Sequence, residues 1–190
     1  MSRTSFDLAA AGELPAWACV SPQRHAHIAR VATILDEWAQ QLAPQQADSW
    51  RAAAWLHDAL RDSDPHKLLD QVDLRFHSWP GALLHGPAVA RRIAQEQPDA
   101  PQAVLDAVTY HTVGHPRLEP LGRALYLADF LEPGRSFSPI WRAVLRARMP
   151  LAMDDVLQEV VRARMTHMLR HNQPLRPETM EFWNTLVRRT

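Results

Sequence analysis

Six residues that can bind metal ions interrupt stretches with the apolar spacing of buried helices. His27 lies four residues before Val31, and Asp129 follows Leu125 by four, so both lie on or beside an apolar helix face. A carboxylate at such a position needs a partner, because an unpaired buried charge is costly. The same interruption recurs in five helical segments, and the full set is His27, His57, Asp58, His85, His111 and Asp129.

The donor atoms of this set are typical of a transition-metal centre. A polyvalent cation is the simplest way to make four imidazoles and two carboxylates compatible with one another in a core. Structural zinc usually takes Cys ligands, and Cys19 is the only cysteine of the chain. Nitrogen and oxygen ligands in this number suit one open site or two adjacent sites. On a continuous helix, His57 and Asp58 would diverge by about 100° and reach neighbouring points.

Helical periodicity predicts the elements that position these side chains. Ser21 is a suitable N-cap and Pro22 a suitable first residue for a helix that ends near Leu42. A second predicted helix runs from about Asp48 to Leu60 and contains the His-Asp pair. The remaining predicted helices cover residues 86–97, 101–112, 117–135, 139–149, 152–170 and 178–189, with a turn at 113–116.

The pattern as a whole predicts an all-α fold. No stretch alternates with period two in β-branched residues, as a half-buried strand would. A chain of 190 residues is long enough for a substantial core, and its apolar residues are evenly spread. We therefore expect a helical bundle that forms a single globular domain. Residues 1–20 are interpreted as an N-terminal extension that packs on this domain, which itself covers residues 21–190.

Composition restricts the partners and the compartment. The formal net charge is zero, which gives no reason to expect binding to nucleic acid or to a membrane surface. The N-terminus lacks a basic start and a continuous apolar run, so we expect no signal peptide and no membrane span. With the single cysteine, this predicts a cytoplasmic protein. The apolar C-terminal helices are compatible with a homodimer interface as well as with a core.

Several short motifs of the chain resemble one known family. The sequence is similar to the HD-domain metallohydrolases, and within them to the YqeK-type symmetrical diadenosine tetraphosphate hydrolases. The resemblance rests on RHAHIARVA, WLHDALRD, LLHGPAVA, AVTYHTVGHP, YLADFLEPGR and NQPLRPET, which span about residues 23 to 180. The order H, HD, H, H and D is typical of the superfamily, whereas YHTVG and ADFLEPGR are typical of the subfamily.

The resemblance implies a fold, a reaction and a cofactor. It implies an all-helical HD-domain bundle, so that residues 21–190 form a metal-dependent phosphohydrolase domain. The six residues would bind two divalent or trivalent transition-metal ions, with Asp58 bridging them. Iron is the favoured metal, and manganese and cobalt are alternatives. The implied reaction converts diadenosine tetraphosphate and water into two ADP in the cytoplasm.

Two departures from the family pattern bear on the choice of substrate. The family often has Lys three positions after the paired Asp, where this chain has Arg61. After YHTVG the family commonly has Arg-Pro-Gly-Met, where this chain has His115, Pro116, Arg117 and Leu118. Both positions are those expected to bind phosphate.

The implied mechanism is attack on phosphorus by a hydroxide held between two metal ions. Phosphoryl transfer mainly requires positioning and charge stabilisation, so no Ser or Cys nucleophile is needed. We assign catalysis to Asp58 and Arg61. The candidates for phosphate contacts are Arg61, Arg117 and Arg135, each with a surface salt bridge as the alternative. Thr112, His115 and Glu132 are further candidates for the substrate pocket or for support of the metal ligands.

Two other functions fit the same residues. An HD-type phosphohydrolase could act on a nucleoside monophosphate, a cyclic nucleotide or a deoxynucleotide, and the reaction products distinguish this from the main hypothesis. A nucleotide or metal sensor without catalysis is the alternative from another class, because a fold does not fix a function.

Overall fold

The computed structural model describes residues 3–188, which contain ten α-helices and three short 3-10 helices. This part of the chain contains no β-strand, which confirms the all-α prediction, and it forms a single domain. None of its helices has the length and hydropathy that a membrane crossing requires. The helices are α1 (Ser5–Ala10), α2 (Pro22–Leu42), α3 (Ala47–Leu56), α4 (Pro65–Leu69), α5 (His85–Glu96), α6 (Gln102–Tyr110), α7 (Pro120–Leu131), α8 (Pro139–Arg148), α9 (Met153–Arg170) and α10 (Pro177–Val187).

Helix α2 begins and ends where the sequence predicts. The Ser21 side chain accepts a hydrogen bond from the backbone N–H of Arg24 at 3.2 Å, and Pro22 occupies the first turn. Ile28 and Leu35, which lie on one face of the helix, are completely buried. This face directs α2 into the core and brings His27 with it.

The core lies between helices that are neighbours in space, several of which are far apart in the sequence. Helices α2 and α3 pack together and both contact α7, while α6 packs on α3 and α7 and is covered by α5. Helix α1 packs on α3 and α5, and α9 packs on α7, α8 and α10. The fully buried side chains at these contacts include Trp50, Leu125 and Val160. The helices that carry the six candidate ligands are therefore in direct contact.

The predicted extension of α3 to Leu60 is wrong. The helix ends at Leu56, and the chain continues in tight turns with hydrogen bonds from Ala59 N–H to Leu56 O (3.1 Å) and from Arg61 N–H to Asp58 O (2.9 Å). Ala59 and Leu60 remain buried in these turns, so the apolar spacing continues after the helix has ended. His57 and Asp58 therefore belong to a turn rather than to a regular helix.

Other differences from the prediction concern proline and the connection after residue 62. Helix α7 begins at Pro120 rather than near 117, because proline has no N–H to donate and fits the first turn. It ends at Leu131, and α5 begins at His85 rather than at Gly86. The long connection contains α4 and two short 3-10 helices, Leu74–Phe76 and Gly81–Leu83, which were not predicted.

The predicted turn after His111 is confirmed and lies under α10. Gly114 has a φ of 75°, in the left-handed region that favours glycine. An added Cβ at Gly114 would overlap the ring of Phe182, which is fully buried. The Thr179 hydroxyl also donates to the Val113 carbonyl at 2.7 Å. The last helix therefore fixes the turn that follows one of the candidate ligands.

We expect Gly114→Ala to destabilise the protein more than Gly12→Ala does. Both glycines have positive φ, 75° and 82°, so the backbone cost is shared. At Gly12 the nearest atom to an added Cβ is 3.6 Å away, whereas at Gly114 the Cβ would overlap Phe182. The overlap should lower the free energy of unfolding by about 1 to 3 kcal/mol more. Urea unfolding of both variants measures the difference, and equal losses would contradict the account.

Candidate metal centre

Six buried side chains from different parts of the fold converge on one point. His57 is completely buried, and Asp129, the most exposed of the six, has 8% of its surface exposed. Most of them lie at helix ends rather than in helix interiors. His27 belongs to α2, His57 and Asp58 follow α3, His85 begins α5, His111 follows α6 and Asp129 lies in α7.

The side chains form two groups of three. The first contains His27, His57 and Asp129, and the second contains Asp58, His85 and His111. Within each group the potential ligand atoms all lie within 4.8 Å of one another. Both groups therefore have the composition and spacing to hold a metal ion.

The carboxylate of Asp58 connects the two groups. Its Oδ1 lies 3.1 Å from His85 Nε2 and 3.4 Å from His111 Nε2. Its Oδ2 lies 3.6 Å from both His27 Nε2 and His57 Nε2. One carboxylate oxygen thus faces each pair of imidazoles, which is the arrangement of a bridging ligand.

Three imidazoles are oriented by the backbone three residues earlier. The Nδ1 atoms of His57, His85 and His111 bond the carbonyl oxygens of Ala54 (2.6 Å), Ala82 (3.0 Å) and Val108 (2.8 Å), respectively. His57 and His111 cap helix C-termini, where carbonyls lack helical partners and can accept such bonds. Because Nδ1 donates, the lone pair of each Nε2 faces the centre.

Glu132 orients His27 in a different way. Its Oε1 lies 3.2 Å from His27 Nδ1, and its Oε2 accepts bonds from Arg30 Nε at 2.5 Å and from Gly134 N–H at 2.6 Å. Glu132 itself is 2% exposed. A carboxylate behind a metal-binding histidine is a common arrangement, because it fixes the ring and increases its basicity.

The electrostatics of the cluster favour neutral imidazoles in two positions and ionised carboxylates. Burial lowers the pKa of His57 to about 4 and also lowers the pKa of His85. Burial alone would raise the pKa of Asp58 and Asp129, but the surrounding imidazoles, together with Arg135 at Asp129, outweigh it and lower the pKa of both carboxyls. Burial lowers the pKa of His27, yet Asp129 and Glu132 make the net shift upward. Because only the neutral imidazole binds a metal ion, this upward shift makes protonation a stronger competitor of metal binding at His27.

The donor set fits transition-metal ions. Four Nε2 atoms and the oxygens of two ionised carboxylates are ligands that iron, manganese and cobalt accept. The hydrogen bonds at Nδ1 already select the tautomer that leaves Nε2 available. The residues present are therefore suitable for two adjacent metal ions.

Two arginines contact the carboxylates of the cluster. Arg24 Nη1 donates to Asp58 Oδ2 at 2.7 Å. Arg135 donates from Nη2 to Asp129 Oδ1 and from Nε to the Asp129 carbonyl at 2.7 Å. Arg24 and Arg30 were not singled out from the sequence, although each lies three residues from His27, a spacing that places side chains on one helix face.

The predicted substrate residues lie in two places. Thr112 Oγ1 is 3.0 Å from His111 Nε2, so Thr112, like Glu132 and Arg135, contacts the cluster. His115 stacks on the Tyr110 ring with centroids 4.2 Å apart, and Arg117 Nη2 lies 3.4 Å from the Tyr110 hydroxyl. Arg61 is near enough to His85 for its charge to contribute to lowering that pKa, after the larger effect of burial.

Comparison with known proteins identifies the family. Residues 24–134, more than half of the chain, match the HD domain. The chain belongs to the HD-domain family. The matched region contains the complete set of six candidate ligands, so the family assignment and the geometry concern the same part of the protein.

Several bacterial relatives of the chain are named symmetrical bis(5'-nucleosyl)-tetraphosphatases. One from Bacillus subtilis is 30% identical over 185 residues, covering 90% of this chain and 96% of that protein. One from Halalkalibacterium halodurans is 30% identical over 150 residues, covering 74% and 78%. These matches confirm the family resemblance and place this HD-domain protein among the HD-superfamily hydrolases.

A solved structure shares the fold. It is described as a predicted HD superfamily hydrolase involved in NAD metabolism from Clostridium acetobutylicum. The TM-score is 0.77 at 22% identity, over 90% of this chain and 92% of that one. The helical arrangement found here is therefore that of an HD-superfamily structure.

We expect Glu132→Gln to lower the free energy of unfolding of the metal-free protein at neutral pH, and to have less effect at strongly acidic pH. Burial raises the pKa of Glu132, but bonds from His27, Arg30 and Gly134 outweigh it and bring the pKa to about 2, from an ordinary value of 4.5. A group with a lowered pKa stabilises the fold above its unfolded value, and this contribution disappears as pH falls through the folded value.

The measurement is urea unfolding in the presence of a chelator between pH 7 and pH 2. The difference between wild type and Glu132→Gln should be full above about pH 4.5 and shrink towards pH 2. Glu13→Gln is the control, since that side chain is 57% exposed. A difference for Glu132→Gln that does not depend on pH would refute the assignment.

Proposed function

We propose that this HD-superfamily hydrolase cleaves diadenosine tetraphosphate symmetrically into two ADP. The observation that carries the proposal is the position of Asp58, whose two oxygens each face a pair of imidazoles in a buried cluster. The substrate is suggested by relatives that bear the name of this activity, one of which aligns over 90% of the chain. Other HD-type substrates are tested by the same experiment.

The proposed cofactor is a pair of transition-metal ions, with iron favoured and manganese or cobalt as alternatives. His27, His57 and Asp129 would hold one ion, His85 and His111 the other, and Asp58 would bind both. When bound, such ions lower the pKa of a water molecule and supply positive charge to phosphate oxygens. A cytoplasmic location and a homodimer remain predictions.

The protein residues would supply orientation and charge. In symmetrical cleavage, water forms a bond to one of the two central phosphorus atoms, and the bridging oxygen leaves with its electron pair as part of the second ADP. The phosphates must therefore extend to both sides of the cluster. The charge of Arg61 contributes to lowering the pKa of His85. Arg24 and Arg135, whose side chains are 26% and 34% exposed, contact the carboxylates of Asp58 and Asp129. These cations are suited to binding phosphate oxygens.

His115 and Arg117 are proposed to contact the substrate at its nucleoside end. They lie around Tyr110, where His115 forms a stacked pair with the phenol ring. Thr112 and Glu132 contact His111 and His27, so we propose that they support the ligands rather than bind substrate.

We expect Asp58→Ala to abolish hydrolysis while the protein stays helical. Loss of the bridging carboxylate removes a ligand from both groups, so turnover should fall at least about a thousandfold. The measurement is chromatography of the products from diadenosine tetraphosphate, with circular dichroism to monitor folding. Wild type should yield ADP as the single nucleotide product.

The control is Asp48→Ala, which removes an 82% exposed carboxylate of α3 and should leave turnover unchanged. Full activity of Asp58→Ala would refute the proposed site. Phosphate released from monophosphates, with diadenosine tetraphosphate left intact, would favour the alternative substrate class. Nucleotide binding without turnover in the presence of iron, manganese or cobalt would favour a sensor.

We expect Arg61→Ala to weaken substrate binding without affecting the metal site. The loss of one charge-assisted contact should raise KM about tenfold or more. Arg61→Lys keeps the charge and should recover part of the effect. Steady-state kinetics with diadenosine tetraphosphate measures both variants, with Arg75→Ala, 61% exposed, as control. An unchanged KM for Arg61→Ala would exclude a phosphate contact there.

A further inference from the structure

The turn that carries Asp58 is bound to the segment that precedes α2. Residues 57–62, the 57–62 turn, follow the end of α3 and have no continuous helical ladder. Cys19 N–H donates to the Ala59 carbonyl at 2.7 Å, and Asp62 N–H donates to the Cys19 carbonyl at 3.3 Å. These two backbone bonds attach the turn to the N-terminal segment.

The side chain of Asp62 adds a second connection. Its Oδ2 accepts a bond from the backbone N–H of Ser21 at 2.7 Å, and its Oδ1 lies 3.9 Å from Arg24 Nε. Ser21 is also the N-cap of α2, so Asp62 connects the turn to the start of the helix that bears His27. Partial burial raises the pKa of Asp62, but Ser21, Arg24 and Arg61 outweigh it and the net shift is downward.

Arg24 extends this connection to the metal centre. Its Nε faces Asp62, while its Nη1 donates to Asp58 Oδ2 at 2.7 Å. That oxygen is the one that faces His27 and His57. The contact with Asp62 is an ion pair and not a hydrogen bond, since Arg24 Nε has no hydrogen-bond partner among the described residues. The Asp62 charge therefore attracts a guanidinium that is bonded directly to the Asp58 side chain of the cluster. The path therefore runs from Ser21 through Asp62 and Arg24 to the bridging ligand.

We propose that Asp62 is a positioning residue, which holds Ser21 and Arg24 and thereby sets the Asp58 carboxylate between the two groups of metal ligands. The inference rests on the proposed metal site, but not on the identity of the substrate. A regular helix would fix Asp58 by its own hydrogen bonds, and the 57–62 turn requires support from outside.

The competing explanation is an ordinary surface ion pair. The Asp62 side chain is 33% exposed, and exposed pairs usually contribute little to stability. Asp36 is a matched example, since its side chain is 35% exposed and lies 3.1 Å from Arg51 Nε. If Asp62 only formed such a surface ion pair, removing the carboxylate of Asp62 and removing that of Asp36 would have the same effect on metal binding.

The test is titration of the full chain, after chelator treatment, with Co²⁺ under anaerobic conditions. The visible absorption of Co²⁺ reports both affinity and coordination geometry. We expect Asp62→Ala to bind Co²⁺ about tenfold more weakly with a changed spectrum, as found when supports of metal ligands are removed. Asp62→Asn keeps an oxygen for Ser21 N–H and should lie between wild type and Asp62→Ala. Asp36→Ala should match wild type.

A second pair of variants tests the same contact without changing Asp62. Ser21 has a φ of −69°, which proline adopts, so Ser21→Pro removes the N–H donor from a compatible backbone. Ser21→Ala removes the same side chain but keeps the N–H. Ser21→Pro should weaken Co²⁺ binding more than Ser21→Ala does, and this comparison decides the matter if Asp62→Ala does not fold.

Two results would overturn the proposal. Co²⁺ binding and spectra of Asp62→Ala that match those of wild type and Asp36→Ala would refute the positioning role while leaving the metal site intact. A wild-type protein that binds no Co²⁺ would instead refute the metal site and this inference together.

Discussion

The carboxylate of Asp58 lies between two pairs of imidazoles, and the rest of the site depends on this arrangement. Its Oδ1 is 3.1 Å from His85 Nε2, and its Oδ2 is 3.6 Å from the Nε2 atoms of His27 and His57. So many polar groups in a buried volume are costly unless each is paired. Contacts between the imidazoles and the carboxylates explain how these side chains are arranged. Two metal ions would bind the lone pairs that remain.

Helix ends place and orient two of the imidazoles in this cluster. His57 and His111 follow the last residues of α3 and α6, where they bond backbone carbonyls of the final turn. Those carbonyls lack helical partners, so one bond satisfies the backbone and fixes the ring. The imidazoles of His57 and His111 are thus oriented by backbone carbonyls that have no partner within the helix. Where no such carbonyl serves, at His27, the buried carboxylate of Glu132 takes that place.

The sequence predicted that the buried polar residues need partners, but it did not predict all of the helix ends and contacts that supply them. The start of α2 was predictable because Ser21 and Pro22 are local signals. The end of α3 was not, because Ala59 and Leu60 stay buried in the turns and preserve a helical spacing. The contacts of Glu132 and Asp62 join residues 105 and 41 positions apart, respectively, and no local pattern encodes such pairings.

The most direct test of the account is the transition-metal content of the purified full chain, measured by elemental mass spectrometry against protein concentration. The two groups of ligands predict two transition-metal ions per chain. One ion per chain would contradict the bridging position of Asp58, and none would contradict the metal centre itself.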